Sequence, residues 1–347
     1  MYVNKQIASL MTASMQTFGI LENLPLLSYI IIIKSRININ YFGIISIIFF
    51  LYCTYVSNSL INLAKIFLFI FTIFVATQNN AKITFNQSGN KFILFVFILF
   101  LTEQLLSSIG IQSPLVRGGG RGLLLFAEPS YAILTIMTVL LSASNFVKMK
   151  TIGKIKILLV IFFVGYILDS LLFMLFSVTF IMLHVFPNII VMMIDKLVIP
   201  LIVLMFVVAY QNYEFIIVNY PSESFRFLTA ILSIISLVDF PLGSGTIFLH
   251  EIFDLKFVYD GFWDMEYIMS WERLSAQAPA FNLILFGGYP AVCYCILLTL
   301  MFFRRSSAIR DVKERTGLRI LFCVLFFIQS TLGSFLLFFV LLRRRSV

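Results

Sequence analysis

The residues whose types and spacing could do chemistry gather in two places. The first is Arg117-Gly-Gly-Gly-Arg121, a basic glycine-rich loop that runs straight into an apolar span. That span carries Glu128, Pro129, Ser130 and Tyr131 near its start. In a helix, Glu128 lies on the same side as Arg121 and roughly 10 Å deeper. Pro129 has no amide hydrogen to donate, which frees a carbonyl one turn earlier and favours a kink. A charge within a membrane helix costs roughly 2.5–3.5 kcal/mol at the centre and less near the ends. Arginines above a carboxylate at a broken helix therefore read as a polar pocket cut into an apolar protein. The plainer alternative is an ion pair that fixes helix packing.

The second place runs from His250-Glu251 through Asp254, Tyr259-Asp260 and Trp263-Asp264 to Trp271-Glu272-Arg273. Aromatic faces there can stack on pyranose rings while carboxylates take hydroxyl hydrogen bonds. The same residues would also serve as an interfacial aromatic belt. His250 is one of two histidines in the chain and the one outside the apolar runs. Its ordinary pKa of about 6.5 suits a general base.

The elements that position these groups are set by hydropathy. The 347 residues are 61% hydrophobic and 12% charged, with a mean hydropathy of +1.02. Apolar runs long enough to cross a bilayer recur along most of the length, which predicts an all-α polytopic integral membrane protein. The net charge of +9 falls in short loops between spans, as the positive-inside rule requires, and excludes a nucleic-acid partner. Cys53, Cys293, Cys295 and Cys323 each lie within an apolar run and indicate neither a disulfide framework nor a metal site. The first apolar run lacks a small-residue cleavage pattern, so no cleavable signal sequence is expected.

In chain order, residues 8–33 form an apolar region interrupted by Glu22, Asn23 and Pro25, and Lys34 and Arg36 mark a basic turn. Spans are expected at roughly 41–57, 61–77, 92–109 and 123–144. Lys148, Lys150, Lys154 and Lys156 then anchor a cytoplasmic loop, which puts loop 110–122 on the opposite, periplasmic side. Two spans fit between Ile155 and Asp195 and a third between Leu197 and Gln211; Asp169, His184 and Asp195 there read as helix-packing or interfacial groups. Residues 213–280 follow as one large periplasmic segment. A helix of about 15 residues from Phe225 to Asp239, near 22 Å long, starts after Pro221-Ser-Glu-Ser224. It places Arg226 in its first turn, where a cation opposes the helix dipole. Pro241-Leu-Gly243-Ser-Gly245 is a turn-forming run. A span at 281–303 leads to the basic loop of Arg304, Arg305, Arg310, Lys313 and Arg315. A last span at 320–342 would leave Arg343–Arg345 on the wrong side, which a re-entrant hairpin or a different span count would resolve; the total is roughly 10–12 spans in a single membrane domain, 1–347.

On two anchors, the chain resembles the O-antigen polymerases within the wider group of O-antigen polymerases and ligases. The first is Arg121 followed by Phe126, Glu128, Pro129 and Ser130. The second is Arg226 followed fifteen residues on by Pro241-Leu-Gly-x-Gly. Together they cover roughly residues 90–300. Leu124 departs from the family's usual glycine, which moves the local bend to Gly122. Phe281-Asn282 stands where the ligases carry His-Asn, which disfavours a ligase.

The resemblance implies a metal- and cofactor-independent glycosyltransferase facing the periplasm from the bacterial inner membrane. It would transfer a growing glycan from undecaprenyl diphosphate to an incoming lipid-linked repeat unit. Arg117, Arg121 and Arg226 would clamp diphosphate oxygens. Glu128 would orient an arginine or receive the acceptor proton, with His250 as the other candidate base. Tyr131, Trp263 and Arg273 would line the sugar path. The bilayer and the lipid-linked oligosaccharides are the implied partners, with room for a polysaccharide chain-length regulator. A flippase for lipid-linked sugars is the chief rival, because buried charges and helix breakers would serve it equally well.

Overall fold

A computed structural model describes residues 41–77, 137, 140–141, 146, 148–167, 171–212, 221–253 and 278–328. Among them the secondary structure is helical, with no strand element. In order the helices are α1 (Tyr41–Val56), α2 (Leu60–Thr77), α3 (Thr151–Ile167), α4 (Leu171–Val185), α5 (Asn188–Gln211) and α6 (Pro221–Asp239). After a 3-10 turn at Leu249–Glu251 come α7 (Pro279–Ser306) and α8 (Val312–Cys323), the latter continuing through a π-helical turn, Val324–Ile328.

α7 and α8 form the hub. α8 packs on α5 and α4, its π-helical extension packs on α7, and α7 carries α1 and α6 on its flanks; α1 pairs with α2 and α3 with α4. The core is aromatic. Phe302 stacks on Phe322 at 4.2 Å between centroids, and Phe326 continues the stack to Phe69 of α2. Tyr294 of α7 lies 4.4 Å from Phe49 of α1, and its hydroxyl is 3.2 Å from the Ser46 hydroxyl, so the one polar atom of that ring finds a partner inside the apolar layer.

Among the described residues, two helices, Asn188–Val208 and Pro279–Ser306, are long and apolar enough to cross a membrane. Their surroundings differ. α7 is largely buried in the bundle, whereas only 17% of the apolar window of α5 is buried.

Three boundaries differ from those read in the sequence. α5 begins at Asn188 rather than at Leu197, which places Asp195 inside the helix. α6 has 19 residues, beginning at Pro221, because proline with Ser and Glu behind it is itself a favourable first turn. Arg226 consequently sits in the second turn, where the opposition to the helix dipole fades. α7 starts at Pro279 and is broken at Gly288, whose φ of 59° and ψ of −145° are not helical. Of the two loops marked out by sequence, 110–122 lies outside the described residues, and 213–280 is described at 221–253 and 278–280.

Candidate functional site

The break in α7 is filled by the turn that follows α6. α6 ends at Asp239, and Gly243 N–H closes the turn on the Phe240 carbonyl at 2.8 Å. Gly243 and Gly245 then adopt positive φ, 97° and 71°, a conformation open to glycine at little cost. From there the turn donates into the break. Ser244 N–H reaches the Leu285 carbonyl and Gly245 N–H the Phe286 carbonyl, both at 3.1 Å; the Ser244 hydroxyl adds a second bond to Leu285 at 2.7 Å. In return Tyr289 N–H donates to the Pro241 carbonyl at 2.9 Å. Carbonyls and amides that a continuous helix would pair internally are thus paired by the turn.

This contact is backbone on backbone, which is why it needs glycine. A Cβ at Gly243 would lie 2.3 Å from the Phe286 carbonyl oxygen, and one at Gly288 would lie 2.3 Å from that of Pro241. The turn was legible in the sequence by itself; the structure joins it to the break at Gly288.

α1 and α2 hold the other side of the turn. Asn58, between the two helices, donates its side-chain amide to the Ser244 carbonyl at 2.8 Å and its backbone amide to Gly245 at 3.3 Å. The Tyr52 hydroxyl donates to the Leu242 carbonyl. One turn further on, Asn62 Nδ2 donates to Thr246 Oγ1 at 3.2 Å, and the Lys65 ammonium lies 5.2 Å from the Phe248 ring centroid. Asn62 Oδ1 is buried without a hydrogen-bond partner. Asn58 lies in the connection before α2, and Asn62 and Lys65 lie within α2.

At the opposite end of α7, Lys154 and Arg319 are buried and Arg315 is half-buried, while Arg304 and Arg310 are exposed. Asp195 of α5 accepts from Arg315 Nε at 3.0 Å and from Arg319 Nη1 at 2.8 Å, and the Thr316 hydroxyl lies 3.2 Å from its other oxygen. Arg319 spends its remaining donors on Ser306, Ser307 and the Phe303 carbonyl. Asp311 caps α8 by accepting from the amides of Lys313 and Glu314. Glu314 pairs with Lys154 of α3, its second oxygen has no hydrogen-bond partner, and burial pushes its carboxyl up despite the opposing pull of that ammonium. Lys313 donates to the His184 carbonyl at 2.8 Å. Arg315, read in the sequence as part of a basic loop, forms with Arg319 a lock between α8 and α5. His184 and Asp195 serve helix packing.

Of the residues assigned to chemistry, Arg117, Arg121, Glu128, Tyr131, Trp263 and Arg273 lie outside the described residues. Arg226 is placed by its backbone in the second turn of α6, and His250 is the middle residue of the 3-10 turn Leu249–Glu251. Thirteen residues of α6, about 20 Å of helix, separate Arg226 from Asp239, and beyond it the 3-10 turn that carries His250 packs back against α6. Comparison with family models, with curated proteins and with solved structures returned no match.

Proposed function

We propose that the chain is a polytopic inner-membrane protein of roughly 10–12 spans and acts as an O-antigen polymerase. The membrane reading rests on α5, whose apolar surface is mostly open to its surroundings and matches hydrocarbon far better than water. Its orientation rests on the two lysine- and arginine-rich segments, which the Lys154–Glu314 pair brings to one end of the bundle. That end is cytoplasmic by the positive-inside rule, and the Pro241–Gly245 turn faces the periplasm.

The observation that carries the enzymatic reading is the clasp between that turn and the break at Gly288. Irregular backbone at membrane depth is tolerated where it is buried in protein or lines a cavity, and it belongs to the same segment as Arg226 and His250. In the reaction a hydroxyl of the incoming repeat unit attacks the anomeric carbon of the donor glycan. The bond from that carbon to the diphosphate oxygen breaks, a glycosidic bond forms, and the hydroxyl proton passes to Glu128 or His250. Undecaprenyl diphosphate leaves with its charge held by Arg117, Arg121 and Arg226, while Tyr131, Trp263 and Arg273 contact the glycan.

Broken helices that hold a substrate at mid-membrane are equally a transporter device, so a flippase of lipid-linked oligosaccharides is the second reading. Alanine at Arg121, Glu128 and Arg226, each in a strain lacking the chromosomal gene, separates them. A polymerase losing its clamp shortens surface glycan to a single repeat unit at normal protein level. Unchanged polymer from all three variants would remove the site assignment.

A further inference from the structure

The two faces of α6 have their polarity reversed. Thr229, Ser233 and Ser236 recur at i, i+4 and i+7, so their hydroxyls share one helical face, and all three residues are buried. Two of the hydroxyls are satisfied inside the helix: Ser233 Oγ donates to the Thr229 carbonyl and Ser236 Oγ to the Ser233 carbonyl, both at 2.8 Å. Ile234, Ile235 and Val238 fall on the opposite face and are exposed, Val238 to 80%. A helix with one side in water shows the opposite arrangement, an apolar stripe inward and polar residues outward. Small and hydroxyl residues toward the neighbouring helix, with aliphatic side chains outward, is how a helix packs in hydrocarbon.

The inward side of α6 is accounted for by the bundle. Ala230 joins Ala278, Phe281 and Ile284 in a small core against α7. The Phe227 ring lies 5.0 Å from that of Phe206 on α5, which in turn lies 5.6 Å from Phe281. Met205, Val207 and Val208 beside Phe206 are exposed, so the open apolar surface of α5 runs on to α6. The uncharged stretch Phe227–Val238 is bounded by Arg226 and Asp239. At about 18 Å it is too short to cross a hydrocarbon core of about 30 Å. Both end charges reach headgroups if the helix lies along one leaflet with its apolar face down. We propose that α6 is an interfacial helix of the periplasmic leaflet, docking its Ile234, Ile235 and Val238 face on the acyl chains of the bilayer. This rests on the membrane reading and orientation proposed above, and holds for a polymerase and a flippase alike. It sets the Pro241–Gly245 turn, immediately beyond Asp239, at the level of the headgroups, where the phosphates of a lipid-linked substrate lie.

The test is tryptophan fluorescence of the full-length protein in vesicles of phosphatidylcholine brominated part-way along its acyl chains, a quencher confined to hydrocarbon. Val238→Trp is compared with wild type, whose Trp263 and Trp271 set the background. Leu204→Trp, on the exposed face of α5, is the reference for lipid contact. Most of the emission that Val238→Trp adds over wild type is expected to be lost to the brominated lipid, as for Leu204→Trp. Ile235→Trp replaces Val238→Trp if thermal unfolding shows that the latter does not fold. Added emission that bromine spares and aqueous iodide quenches puts this face in water and overturns the inference. Added emission that neither quencher reaches means that protein, a second copy included, covers the face, and overturns it as well. Either result leaves the membrane reading standing as long as Leu204→Trp is quenched by bromine. Failure of Leu204→Trp to respond to bromine overturns the membrane reading, and the inference with it.

Discussion

The amide of Tyr289 donates to the carbonyl of Pro241 at 2.9 Å, so the residue just past the break in α7 is held by the residue that opens the turn after α6. A helix interrupted inside an apolar bundle needs its freed groups paired, and here another backbone segment does it. The consequence is a site with little tolerance for side chains at its centre.

Gly288→Ala and Gly243→Ala should therefore be severe. The positive φ alone costs about 1–3 kcal/mol, and in each case the new Cβ would meet a backbone carbonyl oxygen at 2.3 Å. Gly153→Ala is the control, since its Cβ meets only the flexible Met149 side chain and alanine favours the α3 helix. Thermal unfolding in detergent should show a large drop for the first two and a small change for the third. A mild Gly288→Ala would mean that the break is not held as described.

Asp195 offers a second test, at the other end of the bundle. Its carboxylate is the shared acceptor of Arg315 and Arg319, and Asp195→Ala leaves two guanidiniums without their counter-charge. A loss of about 3–5 kcal/mol is expected from breaking a buried pair by one partner, read as reduced unfolding temperature and yield. Adding Arg319→Met to Asp195→Ala should recover part of that loss. A double variant no better than the single would show that the two groups are not coupled.

The Glu314 carboxyl predicts a pH dependence whose sign follows from its burial. Its pKa is raised in the folded protein above the ordinary 4.5, so the folded state holds the proton more tightly than the unfolded state. Stability then falls as pH rises from about 4.5 to the raised value and is flat above it. Glu314→Gln should remove that slope. Unfolding temperature measured against pH, with both proteins in the same detergent, checks it; a slope of the opposite sign would show that the Lys154 charge outweighs burial.

Much of the bundle was legible because hydropathy is a local property. α1, α2 and α7 lie close to the apolar runs that announce them, and the turn at Pro241–Gly245 announces itself by composition. The α6 boundary was misread because Pro221-Ser-Glu-Ser224 reads equally well as a lead-in and as a first turn. The pairing of turn and break was not legible, since Gly243 and Gly288 meet only in three dimensions. The same holds for the basic segment: Asp195 and Arg315 are 120 residues apart, and nothing local distinguishes an arginine that faces solvent from one that locks two helices. The contact of Asn58 and Asn62 with the turn was not legible either, since Ser244 and Thr246 lie more than 180 residues further along the chain. The arginine and glutamate of the first anchor, Arg121 and Glu128, lie outside the described residues.

The most direct measurement of the central claim is a gel of surface lipopolysaccharide from a strain of the source organism deleted for this gene. Core bearing a single repeat unit, with no ladder, is the result the polymerase account predicts. Bare core would contradict it, pointing to a ligase if lipid-linked polymer accumulates in the periplasm and to a flippase if single repeat units are trapped on the cytoplasmic face.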